Sequence, residues 1–232
     1  MTAPFDAHSH LPNTDSCHPD QPRVVCGTCE SDWEAVLAHA ASDERVIPVL
    51  GLHPWFVVEA SPEWLPRLES LLRTHPVGVG ECGLDFARKD TIRSVQEVAF
   101  RAQLRLAHVL YRPIVLHVVR AWGRTIDLLR EEGVPPAGAM VHAYAGSPET
   151  AMVLQSIGMF LSFSGDVLKP ERWRMRESLR TVDASRLLLE TDGSSDLIQV
   201  LEGAAKIRGV TSESLAAQTW ENGQRCFKEL LA

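Results

Sequence analysis

The sequence predicts a single-domain α/β fold, a (β/α)8 barrel of the TIM type, on three observations. Short apolar runs recur eight times along 232 residues, helical patterns fill most of the gaps, and potential metal ligands stand at the ends of the runs: His8 and His10, Glu81, His117, His142 and Asp192. A parallel barrel carries the C-terminal ends of its strands to one rim, so residues distant in sequence gather there. With 45% hydrophobic composition the chain can bury one large core, and residues 1–232 fall in the length range of one barrel domain.

The apolar runs are residues 3–8, 23–27, 46–51, 77–81, 114–118, 139–142, 158–163 and 187–191. Alternation of such runs with helices implies βαβ units and therefore a parallel sheet. Between the first two runs, Pro12, Pro19 and Pro22 with Asn13, Asp15 and Ser16 predict a loop over 11–22 in place of the first helix. Ser61-Pro62 and Ser147-Pro148 each pair a capping side chain with a proline suited to the first helical turn, so helices are expected to begin there. Over 91–110, behind Asp90 as cap, Ile92, Val95, Ala99, Ala102, Leu106 and Val109 recur at helical spacing and predict one buried face. A last helix from about Thr211 is expected to bury Leu215, Thr219, Asn222, Cys226 and Leu230.

A net charge of -7 argues against a broad nucleic-acid footprint, so an anionic substrate would need local positive charge, for which bound metal is the obvious source. Five cysteines, an odd number at irregular spacing, argue against a disulfide framework and for a reducing compartment. The lone CxxC of Cys26 and Cys29 reads as packing, not as a zinc or redox pair. No signal core and no run of membrane-spanning length is present, so the expectation is a cytoplasmic protein with no membrane association and no obligate protein partner.

Asp6-Ala7-His8-Ser9-His10 is the strongest local motif, because residues two apart on a strand share a face and can grip one ion. Glu81, between Gly80 and Cys82-Gly83, puts a carboxylate with two oxygens where it could bridge two cations. Pro113-Ile114-Val115-Leu116-His117 and Ala139-Met140-Val141-His142 each end an apolar run on histidine; Leu187 to Leu189 lead to Glu190-Thr191-Asp192. Either histidine alone would read as a satisfied core residue, and Asp192 alone as a turn aspartate. Four histidines and two carboxylates together can hold two divalent ions of zinc, manganese or magnesium, the arrangement that activates water for hydrolysis.

The chain resembles the TatD family of metal-dependent hydrolases, an amidohydrolase-like branch of the TIM barrels whose best-described members are deoxyribonucleases. The motifs run nearly end to end: DAHSHL (6–11), GLHPW (51–55), GECGLDF (80–86), Gln103-Leu104 through PIVLH (113–117), HAYAGS (142–147), FLSFSG (160–165), ETD (190–192) and ENGQRCF (221–227). That resemblance implies His8, His10, Glu81, His117, His142 and Asp192 as metal ligands. Catalysis would rest on Glu81 as bridge and on Asp192 as ligand and proton acceptor.

Substrate contacts are expected from His53, Arg120 and Tyr144, with Trp122 also near the pocket. Family members carry arginine two residues after the histidine of the fifth strand; here that position is Val119 and the nearest arginine is Arg120. A one-residue shift turns a strand side chain to the other face, so Arg120 depends on its loop for reach. Gly193-Ser194-Ser195-Asp196 leads almost at once into a helix, where the family commonly has a long substrate-facing loop. The expected reaction is phosphodiester hydrolysis of nucleic acid ends or small nucleotide-like substrates. A lactonase or amidase, or a non-catalytic metal-binding scaffold, would fit the same ligands.

Overall fold

A computed structural model of the chain describes residues 4–11, 21–193 and 195–231. Eight parallel strands pair in sequence order: β1 (Asp6–Ser9), β2 (Arg23–Gly27), β3 (Val46–Leu50), β4 (Gly78–Asp85), β5 (Ile114–Val119), β6 (Ala139–Val141), β7 (Phe160–Phe163) and β8 (Leu187–Leu189). Past the end of β8 the chain returns to β1. The Asp192 N–H donates to the His8 carbonyl at 3.0 Å, and the Thr191 N–H and hydroxyl donate to the Asp6 carboxylate at 2.9 and 2.7 Å. These contacts bring the two edges of the sheet together as a TIM-type barrel.

Successive strands from β2 onward are linked by α1 (Trp33–Ser42), α2 (Trp64–Thr74), α3 (Arg93–Val109), α4 (Trp122–Glu132), α5 (Pro148–Ser156) and α6 (Trp173–Thr181); α7 (Leu197–Arg208) and α8 (Ser212–Cys226) follow β8. The loop expected over 11–22 lies largely outside the described residues. Alternation along the strands sorts the core into two layers. Ile114, Leu116, Ala139, Val141, Leu187 and Leu189 face the helices with Leu68, Leu104 and Leu154. Val24, Ile47, Val49, Val115, Met140 and Leu188 fill the barrel interior, closed off by Phe5, Cys226 and Phe227. His117, His142 and Glu190 stand two residues beyond Val115, Met140 and Leu188, so the apolar plug is the floor on which the polar site rests.

Three sequence expectations change. Glu81 lies inside β4, which continues to Asp85, instead of ending its strand. The helix after Ser61-Pro62 begins at Trp64, because the Ser61 hydroxyl is used elsewhere, donating to Glu30 at 2.7 Å. In α3 the face is rotated: Ile92, Val95 and Val109 are exposed, whereas Gln96, Ala99, Phe100, Gln103, Leu104, Leu106 and Ala107 are buried. Hydropathy misreads the two glutamines because their amides serve backbone. Gln96 accepts from Asp85 N–H at 2.9 Å and donates to Asp85 O at 3.0 Å, and Gln103 does the same for Leu52 at 2.7 and 3.1 Å. Both grips fix chain segments that carry the site.

The start of α3 shifts as well: Ile92, not Asp90, stands before Arg93, and the Asp90 carboxylate pairs with Arg88 instead of capping the helix. The caps at Ser147 and Thr211 hold. Ser147 caps α5 by accepting from Thr150 N–H at 3.3 Å, and Thr211 caps α8, which buries Leu215, Thr219, Asn222 and Cys226; Leu230 packs just beyond the helix. No helix among the described residues is long and apolar enough to cross a membrane.

Candidate metal centre

Glu81 is the hub of the polar layer. It is buried, and β4 reaches it through Gly80 and Gly83, both with positive φ (130° and 138°). A Cβ at Gly83 would lie 2.1 Å from the His117 carbonyl oxygen, and one at Gly80 2.5 Å from that of Val115, so only glycine lets β4 approach β5 this closely. The β4–β5 ladder shifts register between Val79 and Cys82, the stretch that holds Gly80 and Glu81.

The two Glu81 oxygens face different groups. Oε2 lies 3.3 Å from His8 Nε2 and 3.2 Å from His10 Nε2; Oε1 lies 2.7 Å from His117 Nδ1, 2.7 Å from His142 Nε2 and 3.3 Å from His53 Nε2. Asp192 closes the first side, its Oδ1 3.7 Å from His8 Nε2 and 3.9 Å from His10 Nε2. Its φ of 49° is a left-handed conformation that aspartate tolerates, and Gly193 continues the turn. His142 also stacks on His8 at 4.1 Å and can join His8 and Asp192 in one ligand group, so the two sides share a wall.

These residues fit divalent metal. The His8 and His10 Nε2 atoms are 3.0 Å apart, as are His117 Nδ1 and His142 Nε2. Neighbouring ligands on an ion with bonds near 2.1 Å stand about 3 Å from one another. The opposite ring nitrogens support this reading. His10 Nδ1 donates to the Cys26 carbonyl (3.0 Å), which can only accept, leaving the Nε2 lone pair toward Glu81. His117 Nε2 faces Asp85 at 3.4 Å, and His142 Nδ1 faces Glu190 at 3.4 Å without the alignment of a hydrogen bond. His8 Nδ1 meets the Cys26 thiol at 3.3 Å.

His53 differs. Its Nδ1 accepts the Trp55 N–H at 3.1 Å, so the neutral ring carries its proton on Nε2 and points a donor, not a lone pair, at the centre. The sequence expectation of a mouth residue is met, and a His-Pro turn is present too, Phe56 N–H donating to the His53 carbonyl.

Electrostatics follow from burial and crowding. Burial alone would raise Glu81, but the imidazoles of His142, His8, His10 and His117 outweigh it and hold the carboxyl well below its usual range. His142 resists burial through the charges of Glu81 and Glu190 and is pushed well above the usual histidine value; His10 and His117 are raised too, whereas burial takes His8 down to about 4. Beneath them, burial lifts Asp6 to about 7 despite the Thr191 hydrogen bonds. Asp192 is raised by burial and by the Glu190 and Glu81 charges, which His142 only partly offsets.

A cleft of about 400 Å³ opens over this centre, lined among others by His10, His53, Trp55, Glu81, His117, His142 and Asp192. Two expected substrate residues are not brought to it. Tyr144 is fully buried, packs on Trp122 and Phe163, and spends its hydroxyl on the Ser147 carbonyl at 2.6 Å. Arg120 is exposed just past β5, with φ of 53°, and does not line the cleft. Cys82 is packed in the outer core as expected, and no disulfide joins Cys26 and Cys29.

Sequence reasoning missed Asp6, Asp85 and Glu190, carboxylates set against His8, His117 and His142, and Trp55, whose indole N–H donates to Asp85 at 2.6 Å. Strand parity held the signal: Asp6 precedes His8 by two residues and Glu190 precedes Asp192 by two.

Known proteins share this architecture. Residues 5–228 match the family model for TatD-related DNase. The uncharacterized metal-dependent hydrolase YabD of Bacillus subtilis is 28% identical over 97% of this chain and 98% of its own length. The 3'-5' ssDNA/RNA exonuclease TatD of Klebsiella pneumoniae is 34% identical over 76% of this chain and 75% of its own. Among solved structures, the TatD homologue YJJV of Escherichia coli superposes with a TM-score of 0.85 at 25% identity, covering 89% of this chain and 86% of that one. With its match extending across nearly the whole barrel, the chain belongs to the family of TatD-related DNases and is a metal-dependent hydrolase.

Proposed function

We propose that the chain hydrolyses phosphodiester bonds at a binuclear divalent-metal centre, with nucleic acid ends or small nucleotide-like phosphodiesters as substrates. One observation carries the reading: the two oxygens of buried Glu81 are divided between His8 and His10 on one side and His117 and His142 on the other. In this reading His8, His10, Glu81 and Asp192 would hold one ion, and Glu81, His117 and His142 the other. The imidazole-rich donor set suits zinc or manganese better than magnesium. Ions bound there would supply Lewis acidity and lower the pKa of a nucleophilic water.

The chain's own residues supply the rest. Asp192, partly open to the cleft, would be placed to accept the proton of the attacking water. His53 Nε2–H donates to a substrate oxygen entering above Glu81. Asp85 and Glu190 keep the His117 and His142 rings turned toward the centre. Arg120 meets only a substrate long enough to leave the cleft. The four described cysteines, all free, suit a reducing compartment, and we place the protein in the cytoplasm.

A 3'-labelled single-stranded oligonucleotide, a lactone and an amide, each assayed before chelation, after it and after metal return, test the reaction class. Oligonucleotide shortening that stops with chelator and resumes with metal is expected. Metal-restored turnover of lactone or amide alone would overturn the phosphodiesterase reading.

A further inference from the structure

The connection from β7 to α6 leaves the same barrel rim as the residues of the metal centre, and together with α6 it is net basic in an acidic chain: Lys169 and Arg172 in the connection and Arg174, Arg176 and Arg180 in α6, against Asp166, Glu171 and Glu177. It borders the catalytic side, since a Cβ on Gly165 would lie 2.2 Å from Ser195 Oγ, in the turn that follows Asp192. α7 starts at Leu197, so only residues 193–196 stand between Asp192 and that helix.

Within the segment the side chains divide by role. Arg176 turns inward and donates to the Val167 and Leu168 carbonyls at 3.3 and 3.2 Å, fixing the turn. Asp166 pairs with Lys169 at 2.5 Å and with Arg172 at 3.4 Å, so one carboxylate faces two cations; Arg180 pairs with Glu177. Arg174 has no carboxylate partner among the described residues and lies 5.1 Å from the ring centroid of Trp173. Trp173 opens α6 and is 63% exposed. A large aromatic left in water beside surplus guanidinium charge serves neither core nor ion-pair network, and it is the pairing that single-stranded nucleic acid sites use.

We propose that residues 169–174 are a docking site for the single strand as it leaves the catalytic cleft, one base stacking on Trp173 while Arg172 and Arg174 meet adjacent phosphates. This rests on the phosphodiesterase reading above and adds a subsite to it. Local charge here also resolves how a chain of net charge -7 would hold a polyanion.

Fluorescence anisotropy on the full-length chain in EDTA, which silences hydrolysis, tests the site with labelled oligo-dT and with an abasic strand of equal length. Trp173→Ala is expected to weaken oligo-dT binding roughly tenfold and to leave the abasic strand unchanged, with Trp173→Phe restoring most of the loss. Arg174→Ala is expected to lower the slope of log K against log salt by about 0.7, the loss of one phosphate contact on a single strand. Both alanine variants should hydrolyse bis(4-nitrophenyl) phosphate at the wild-type rate. Unchanged oligo-dT affinity and slope, or equal losses on the two strands, would overturn the proposal, as would impaired hydrolysis of the small diester. If the wild type cleaves no phosphodiester yet binds oligo-dT through Trp173, the catalytic reading falls and the docking site stands. If it cleaves the small diester but binds oligo-dT without regard to Trp173, the docking site falls and the catalytic reading stands.

Discussion

Glu81→Gln is the most informative single change at the centre. Glutamine keeps the shape but removes the charge and one oxygen, and Glu81 is the residue whose two oxygens face both histidine pairs, at 3.2–3.3 Å on one side and 2.7 Å on the other. Loss of residues that merely orient a ligand costs roughly 10- to 100-fold in metal affinity, so loss of an anionic ligand should cost at least about 100-fold for each ion. Across two ions that is about 10,000-fold in joint occupancy, or roughly 5.5 kcal/mol. Chelator-competition titration and elemental analysis read the loss, with circular dichroism confirming the fold. His10→Asn, which removes a nitrogen from one side only, should spare the second ion. If Glu81→Gln lost a single ion while holding the other at wild-type affinity, the bridging argument would fail.

Other consequences follow from the surrounding shell. Asp85→Asn leaves the His117 ring without its carboxylate and should weaken metal binding by about 10- to 100-fold at unchanged fold, read by the same titration; wild-type affinity would remove Asp85 from the account. Tyr144→Phe strands the Ser147 carbonyl and should cost about 1–3 kcal/mol in denaturant unfolding with KM unchanged, whereas a raised KM would return Tyr144 to the substrate site. Metal affinity should climb with pH. In the metal-free protein His10, His117 and His142 hold protons above the free-histidine value of 6.5, and bound metal must displace them, so the gain continues above pH 6.5. A titration series from about pH 6 to about pH 8.5 that showed no slope would contradict this.

The barrel was legible because its strands are short, apolar and regularly spaced, and because histidine or a carboxylate beyond an apolar run is conspicuous at His117, His142 and Asp192. The buried face of α3 was not, since Gln96 and Gln103 enter the core to satisfy backbone that only the folded chain brings near. Glu81 was found by its glycine neighbours, but its place inside β4 depends on β4 packing closely on β5, a tertiary fact. Tyr144 stands two residues after His142 and looked like a pocket residue; the backbone turn at Ala143, with φ of 43°, helps carry it into the core instead. His53 illustrates a subtler limit, because its role hangs on which ring nitrogen the Trp55 amide engages.

Anomalous diffraction from crystals of the protein loaded with zinc or manganese tests the central claim most directly. Two peaks about 3.5–4 Å apart are expected, flanking the Glu81 carboxylate, one beside His8, His10 and Asp192 and the other beside His117 and His142. A single peak, or two that leave Glu81 bound to only one ion, would contradict the binuclear account.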